Sequence, residues 1–234
     1  MVDDGITIAQ LERIGMRYGA GAEVLHEIDL TLAAGSFRFL LGPAGAGKTS
    51  LLRLLRLGHP PSQGCLRLFG RDTARLGRDD RARLRRRIGV VFQDLRLLDH
   101  LSAYDNVALR LRIAGLADEA IAAEVAPLLG WLGLGEALEQ RPPELAPAQR
   151  QLVAVARAVI GGPALLLADE PLAGLDPAQA RRVMRLLLSL HRRGTTVLLA
   201  TRDHGLPQCY PLAVIGLHGG QLTAFWAPRL ARSA

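Results

Sequence analysis

A chain of 234 residues that is 49% hydrophobic can bury a substantial core, as one large domain or two small ones, and this excludes a disordered polypeptide. Its longest apolar runs, such as 164–168 and 211–217, fall far below the roughly 18 residues of a membrane-spanning helix. The net charge of +7 invites a nucleic-acid reading, but aromatic residues at 4% leave little to stack on bases, so nucleic acid is not expected as a partner.

In chain order, the N-terminus "MVDDGITIAQ" begins acidic and lacks the basic-then-apolar order of a signal peptide. Strands are predicted over 5–14, 24–32 and 37–42, and a helix follows in "SLLRLLRL". A further strand is predicted at 65–70. The arginine-dense run "RDDRARLRRR" (78–87) reads as a solvated helix, or one lying near anionic lipid or a partner. After a strand at 88–92, the stretch 102–160 reads as a helical insertion, with helical spacing in 103–115, 118–134 and 147–160. The runs 164–168 and 196–200 lack polar alternation, which suits central parallel strands buried on both faces. Between them, 177–193 starts with a proline and stops before Gly194, giving a strand–helix–strand crossover and hence an α/β sheet. A last strand is predicted at 213–217. Cys65 and Cys209 stand alone with no metal-ligand spacing, as suits a reducing cytoplasm.

Between the third strand and its helix lies "GPAGAGKT" (42–49), which fits the phosphate-loop pattern G-x-x-x-x-G-K-[ST] in the context that pattern demands. Gly42, Gly45 and Gly47 let backbone N–H groups approach phosphate oxygens, and the helix N-terminus presents its positive end to the same anion. Pro43, Ala44, Ala46 and Ser50 complete the loop. Lys48 is placed to reach the β- and γ-phosphates of ATP, and the Thr49 hydroxyl to ligate Mg2+. Of the 29 Lys and Arg residues, Lys48 is the single lysine, leaving 28 arginines, so this position requires a compact ammonium rather than a planar guanidinium. The strand "ALLLADE" ends in two carboxylates: Asp169 for the Mg2+ shell and Glu170 to polarise the attacking water.

With these motifs in place, the chain resembles the ATPase subunits of ABC transporters over essentially its whole length. "RIGVVFQDLRLL" (87–98) is similar to the Q-loop region, which makes Gln93 a nucleotide- and metal-site residue. "DEPLAGLDP" (169–177) is similar to the Walker B to D-loop passage, and Tyr18 stands where the family stacks an aromatic ring on adenine. Within the superfamily, "IGVVFQD", "YDNVALRLRIAG" (104–115) and "LLLADEPLAGLD" most resemble the FtsE cell-division family, with lipoprotein-release and macrolide-export ATPases close in wording. The resemblance implies a P-loop NTPase (RecA-like) core over 1–93 and 161–234, an antiparallel β edge and a helical subdomain over about 94–160. It also implies ATP and Mg2+ as cofactors, a head-to-tail homodimer or heterodimer, and an integral membrane partner like the FtsX permease. The chain is then expected to be cytoplasmic and peripheral on the inner face of the cell membrane.

Two departures stand out. "ELAPAQRQ" (144–151) aligns on the family signature, but its serine is Ala146 and its two glycines are Pro147 and Ala148; Gln149 remains. The family closes this turn over the γ-phosphate held by the other subunit. Alanine offers no hydroxyl to phosphate or helix, and Pro147 removes one N–H, although the helix itself is still expected to form. The family's switch histidine is Arg202 here, a cation that does not exchange protons near neutral pH, with His204 two residues on. The expected activity is slow Mg-ATP hydrolysis. The alternatives are a nucleotide-responsive scaffold that rarely cleaves ATP, a subunit of an exporter or lipoprotein-release system, and a partner to another ABC subunit with an intact signature.

Overall fold

The computed structural model describes residues 6–226; the expected strand residue 5 and the two ends of the expected 1–234 domain lie outside them. The first strands are β1 (Thr7–Arg17), β2 (Glu23–Ala33) and β3 (Phe37–Leu41), and α1 (Lys48–Leu55) follows the phosphate loop. Next come β4 (Gln63–Leu68), the two-residue β5 (Arg71–Asp72), α2 (Arg78–Arg86) and β6 (Ile88–Val91). Three helices follow without an intervening strand: α3 (Ala103–Ile113), α4 (Asp118–Leu132) and α5 (Pro147–Val159). The chain then runs through β7 (Leu165–Asp169), α6 (Pro177–Arg192), β8 (Thr196–Thr201), α7 (Leu206–Cys209), β9 (Ala213–His218) and β10 (Gln221–Trp226).

These strands form two sheets. One is four-stranded and antiparallel, ordered β2-β1-β4-β5, and the other is six-stranded, ordered β10-β9-β3-β8-β7-β6. In the second sheet β9, β3, β8, β7 and β6 are parallel, and only β10 runs antiparallel, against β9. The antiparallel edge expected from the sequence is therefore mostly a sheet of its own. β1 also runs three residues past the predicted end at 14, through an irregularity in its pairing where Arg13 and Glu27 both take a φ of 46°.

The unbroken apolar reading of β7 and β8 has a direct cause, since each strand serves two cores. Leu166, Ala168, Val197 and Leu199 join Phe37 and Phe39 in a cluster with α3, α4, α5 and α6. Their neighbours Leu165, Leu167, Leu198 and Ala200 face the other way, into a cluster with α1, β1 and β2. Both faces of the parallel sheet are thus covered, and truncating one of these leucines to alanine would cost about 2–5 kcal/mol. The chemistry-bearing residues lie at the carboxyl ends of β3, β7 and β8, in a sheet packed on both faces.

Candidate functional site

The phosphate loop leaves β3 at Gly42 and enters α1 at Lys48. Its glycines do two different jobs. A Cβ at Gly42 would stand 2.1 Å from the Leu217 carbonyl oxygen, and one at Gly47 (φ 103°) would stand 2.8 Å from Leu25, so these two let the loop press against β9 and β2. Gly45 (φ 75°) has open space on that side, where an anion can approach the backbone. Lys48 is buried and donates to the Gly42 carbonyl at 2.6 Å and the Pro43 carbonyl at 2.9 Å, which folds its ammonium over the loop. Burial lowers its pKa from 10.5, and Arg202 pushes the same way, while Glu170 and Asp169 oppose them. The first N–H groups of α1 have no partner within the helix and point to the same space.

The β7 carboxylates meet this loop from below. The Thr49 hydroxyl donates to Asp169 Oδ2 at 2.6 Å, joining the two groups expected to share a metal ion. Burial pushes Asp169 above its usual 3.8; the Thr49 hydrogen bond lowers it, Glu170 raises it, and Lys48 lowers it. Gln93, just past β6, lines the same cavity of about 250 Å³ as Ala44, Gly45, Ala46, Gly47, Lys48, Thr49, Ser50, Asp169, Glu170 and Arg202. Among the described residues no group of three or more His, Cys, Asp or Glu side chains could hold a metal alone. A divalent ion bound by Thr49, Gln93 and Asp169 therefore has to take its remaining ligands from phosphate oxygens and water, which is how Mg2+ is commonly held. The donor set fits an Mg–nucleotide. Tyr18 lies beside the loop, its hydroxyl 3.0 Å from Ser50 Oγ and its ring next to Arg53 and His59.

Glu170 takes a left-handed φ of 48°, uncommon for a residue with a Cβ. Its N–H donates to the Ala200 carbonyl at 2.9 Å, and its carbonyl accepts from the Ala173 N–H at 3.1 Å. The buried Gln151 amide donates to the Pro171 carbonyl at 2.8 Å, tying α5 to the same turn. Local strain of this kind persists only where surroundings hold it, and it concentrates at functional sites. The side chain does not stand free. Glu170 Oε1 accepts from Arg202 Nε at 3.1 Å and Oε2 accepts from the Thr201 hydroxyl at 3.3 Å. The switch position thus holds a cation paired with the carboxylate expected to polarise water. His204 is exposed and lines none of this cavity.

The structure does not bring the altered signature turn to this loop within one chain. Ala146, Pro147, Ala148 and Gln149 line a different surface from the phosphate cavity, and Ala146 and Pro147 are exposed. The helix forms as expected, with Ala146 at the N-cap and Pro147 at the first helical position. No side chain caps it, but Gln149 Oε1 accepts the Ala146 N–H at 2.8 Å, so one half of a capping box survives. Further along α5, Arg157 donates to the Arg96 carbonyl at 2.6 Å and the Leu95 carbonyl at 2.5 Å. Those two residues take positive φ values of 52° and 55°, so a single guanidinium pins the strained segment that follows Gln93. Sequence reading missed Gln151, Arg157 and Thr201. The first two were visible only as polar breaks in the apolar face of 147–160.

Comparison with known proteins agrees with this fold. Residues 25–173 match the family described as ABC transporter. The cell division ATP-binding protein FtsE of Mycobacterium tuberculosis is 38% identical over 213 residues, covering 91% of this chain and 93% of that protein. FtsE of Escherichia coli K12 is also 38% identical, over 90% of this chain and 97% of its own length. The macrolide export ATP-binding/permease protein MacB 1 of Aeromonas hydrophila subsp. hydrophila is 43% identical over 86% of this chain, but the chain spans only 32% of that protein. Among solved structures, a dimeric post-hydrolysis state of the ATP-binding cassette MJ0796 bound to ADP and Pi superposes with a TM-score of 0.89 at 28% identity, over 95% of this chain and 99% of that one. In sequence and in fold, the chain belongs to the ABC transporter family, as an ATP-binding subunit related to the FtsE and MacB proteins.

Proposed function

We propose that this chain binds Mg-ATP through its own phosphate loop, hydrolyses it slowly, and drives conformational change in an integral membrane subunit of an FtsE-like complex serving cell division. The observation that carries the reading is the 2.6 Å bond between Thr49 and Asp169 beneath a loop whose only lysine covers it. Lys48 and the loop N–H groups bind and orient the phosphates, Thr49, Gln93 and Asp169 hold Mg2+, and Tyr18 receives the adenine ring. Glu170 takes the proton of the attacking water. Bound Mg2+ supplies positive charge against the phosphates.

The membrane subunit is expected on a second surface. A groove of about 760 Å³ is lined by apolar residues including Ile88, Phe92 and Ile113, by Arg56, Arg85, Arg110 and Arg157, and by one acidic residue, Glu124. Such a groove suits an amphipathic helix that carries acidic residues, here assigned to an FtsX-like permease. No helix among the described residues is long and apolar enough to cross a membrane, and the proposal gives attachment to the inner face to that partner. A second reading, a scaffold that binds ATP but rarely cleaves it, is favoured by the Arg202–Glu170 pair and by the signature turn without a hydroxyl.

Calorimetric titration tests the first step. Wild type should bind Mg-ATP, and Lys48→Ala should abolish that binding while keeping the wild-type thermal transition. Wild type that fails to bind at millimolar ATP refutes the assignment. Binding without turnover, in the presence of the membrane subunit, selects the scaffold.

A further inference from the structure

β7 and β8 are parallel neighbours with Asp169 opposite Ala200, so the residues that follow each strand emerge side by side. That register sets Arg202 against Glu170. Both carboxylate oxygens are engaged, one by Arg202 Nε at 3.1 Å and one by the Thr201 hydroxyl at 3.3 Å. A carboxylate with one oxygen paired to a cation and the other to a hydroxyl is a weaker acceptor for a proton from water. The guanidinium is not buried by the contact: the Arg202 side chain is 57% exposed, against 15% for Glu170. Among the described residues it donates only through Nε, which leaves its Nη groups for another acceptor. It also lines the phosphate cavity with Lys48, Thr49 and Gln93, so a terminal phosphate entering there meets it. A planar guanidinium offers phosphate a two-pronged contact and gives a doubly charged anion a stronger claim than one carboxylate.

Resting on the nucleotide-binding reading above, we propose that Arg202 exchanges between two anions, pairing with Glu170 until the terminal phosphate of a nucleoside triphosphate draws it away and frees the carboxylate. Arg202 is then a positioning residue that makes Glu170 competent only when a triphosphate is bound. Diphosphate, which lacks that terminal group, leaves the pair closed. No bond is made or broken in the exchange; one ion pair replaces another.

A double-mutant cycle on binding tests this without relying on turnover. Wild type, Glu170→Gln, Arg202→Gln and the double variant are titrated with the Mg2+ complexes of the β,γ-imido analogue of ATP and of ADP. Releasing Arg202 by Glu170→Gln should tighten the triphosphate analogue about tenfold where Arg202 is present and about twofold or less where it is Gln; ADP should show no such coupling. Arg202→Lys, which keeps the charge but loses the fork, should retain only part of the coupling. Equal gains in both backgrounds, or equal coupling for ADP, would overturn the exchange. Wild type that binds neither nucleotide would instead overturn the reading on which it rests. Urea unfolding of the four proteins separates loss of the fold from loss of coupling.

Discussion

The N-terminus of α5 offers a quantitative test of how the altered signature turn is built. Ala146 already has N-cap backbone geometry, φ −62° and ψ 154°, and its carbonyl accepts the Arg150 N–H at 3.0 Å. One reciprocal bond is present, from the Ala146 N–H to Gln149 Oε1; the other, from the Gln149 N–H to a side-chain oxygen at 146, has no acceptor. Ala146→Ser supplies that oxygen at an exposed position with no packed neighbour to displace. Restoring an N-cap hydroxyl is worth about 1 kcal/mol, which for a domain of this size corresponds to about 2–4 °C in Tm. Urea unfolding should therefore shift to a higher midpoint at unchanged slope, and Gln149→Ala should move it the opposite way. An unchanged midpoint in Ala146→Ser would refute the reasoning, because it would mean that the N–H groups at 148 and 149 already have partners.

Ala146→Ser combined with Pro147→Gly and Ala148→Gly restores a hydroxyl and a backbone donor, and steady-state hydrolysis should rise about tenfold, equivalent to about 1.4 kcal/mol of barrier. Glu170→Gln in that background should silence turnover while ATP stays bound; an unchanged rate in the restored protein places the limit elsewhere. The buried Asp169 makes a pH prediction. Its folded pKa lies above the unfolded 3.8, so the native state binds more protons and stability falls as pH rises from 3.8 through the folded value. Asp169→Asn should flatten that part of a plot of urea midpoint against pH; an unaltered profile would show that burial does not govern this carboxyl.

How much of this was legible follows from where each signal lives. The phosphate loop, the parallel strands β7 and β8 and helix α6 were readable because local pattern and tertiary role coincide: a strand buried on both faces is apolar throughout, and a crossover helix carries its own caps, here Asp176 accepting from the Ala178 and Gln179 N–H groups. The β9–β10 hairpin was missed although Gly219 and Gly220, with φ values of 52° and 79°, form the two-glycine connection typical of such a turn. The apolar run at 213–217 was recognised and its return strand was not. The Arg202–Glu170 pair was legible only as two residues 32 apart. What makes them partners is the register of β7 against β8, a property of the sheet that no local window contains.

The start of α5 also shows how a turn can lose a cap without losing its helix. On the same helix Leu152, Val153, Val155 and Val159 are buried at 4% exposure or less. Burying a Val or Leu side chain contributes about 1.5–3 kcal/mol, so the four together contribute several times the roughly 1 kcal/mol that the missing cap costs. α5 is therefore held mainly by its apolar face, by Gln151 on the turn after β7 and by Arg157 on the segment after Gln93, and its exposed tip contributes only the smaller capping bond of Gln149. Lys48 has no such freedom, because its ammonium is folded into the loop it serves. Substitution at Ala146, Pro147 and Ala148 is therefore expected to leave the arrangement of β3, β7 and β8 around the phosphate loop in place.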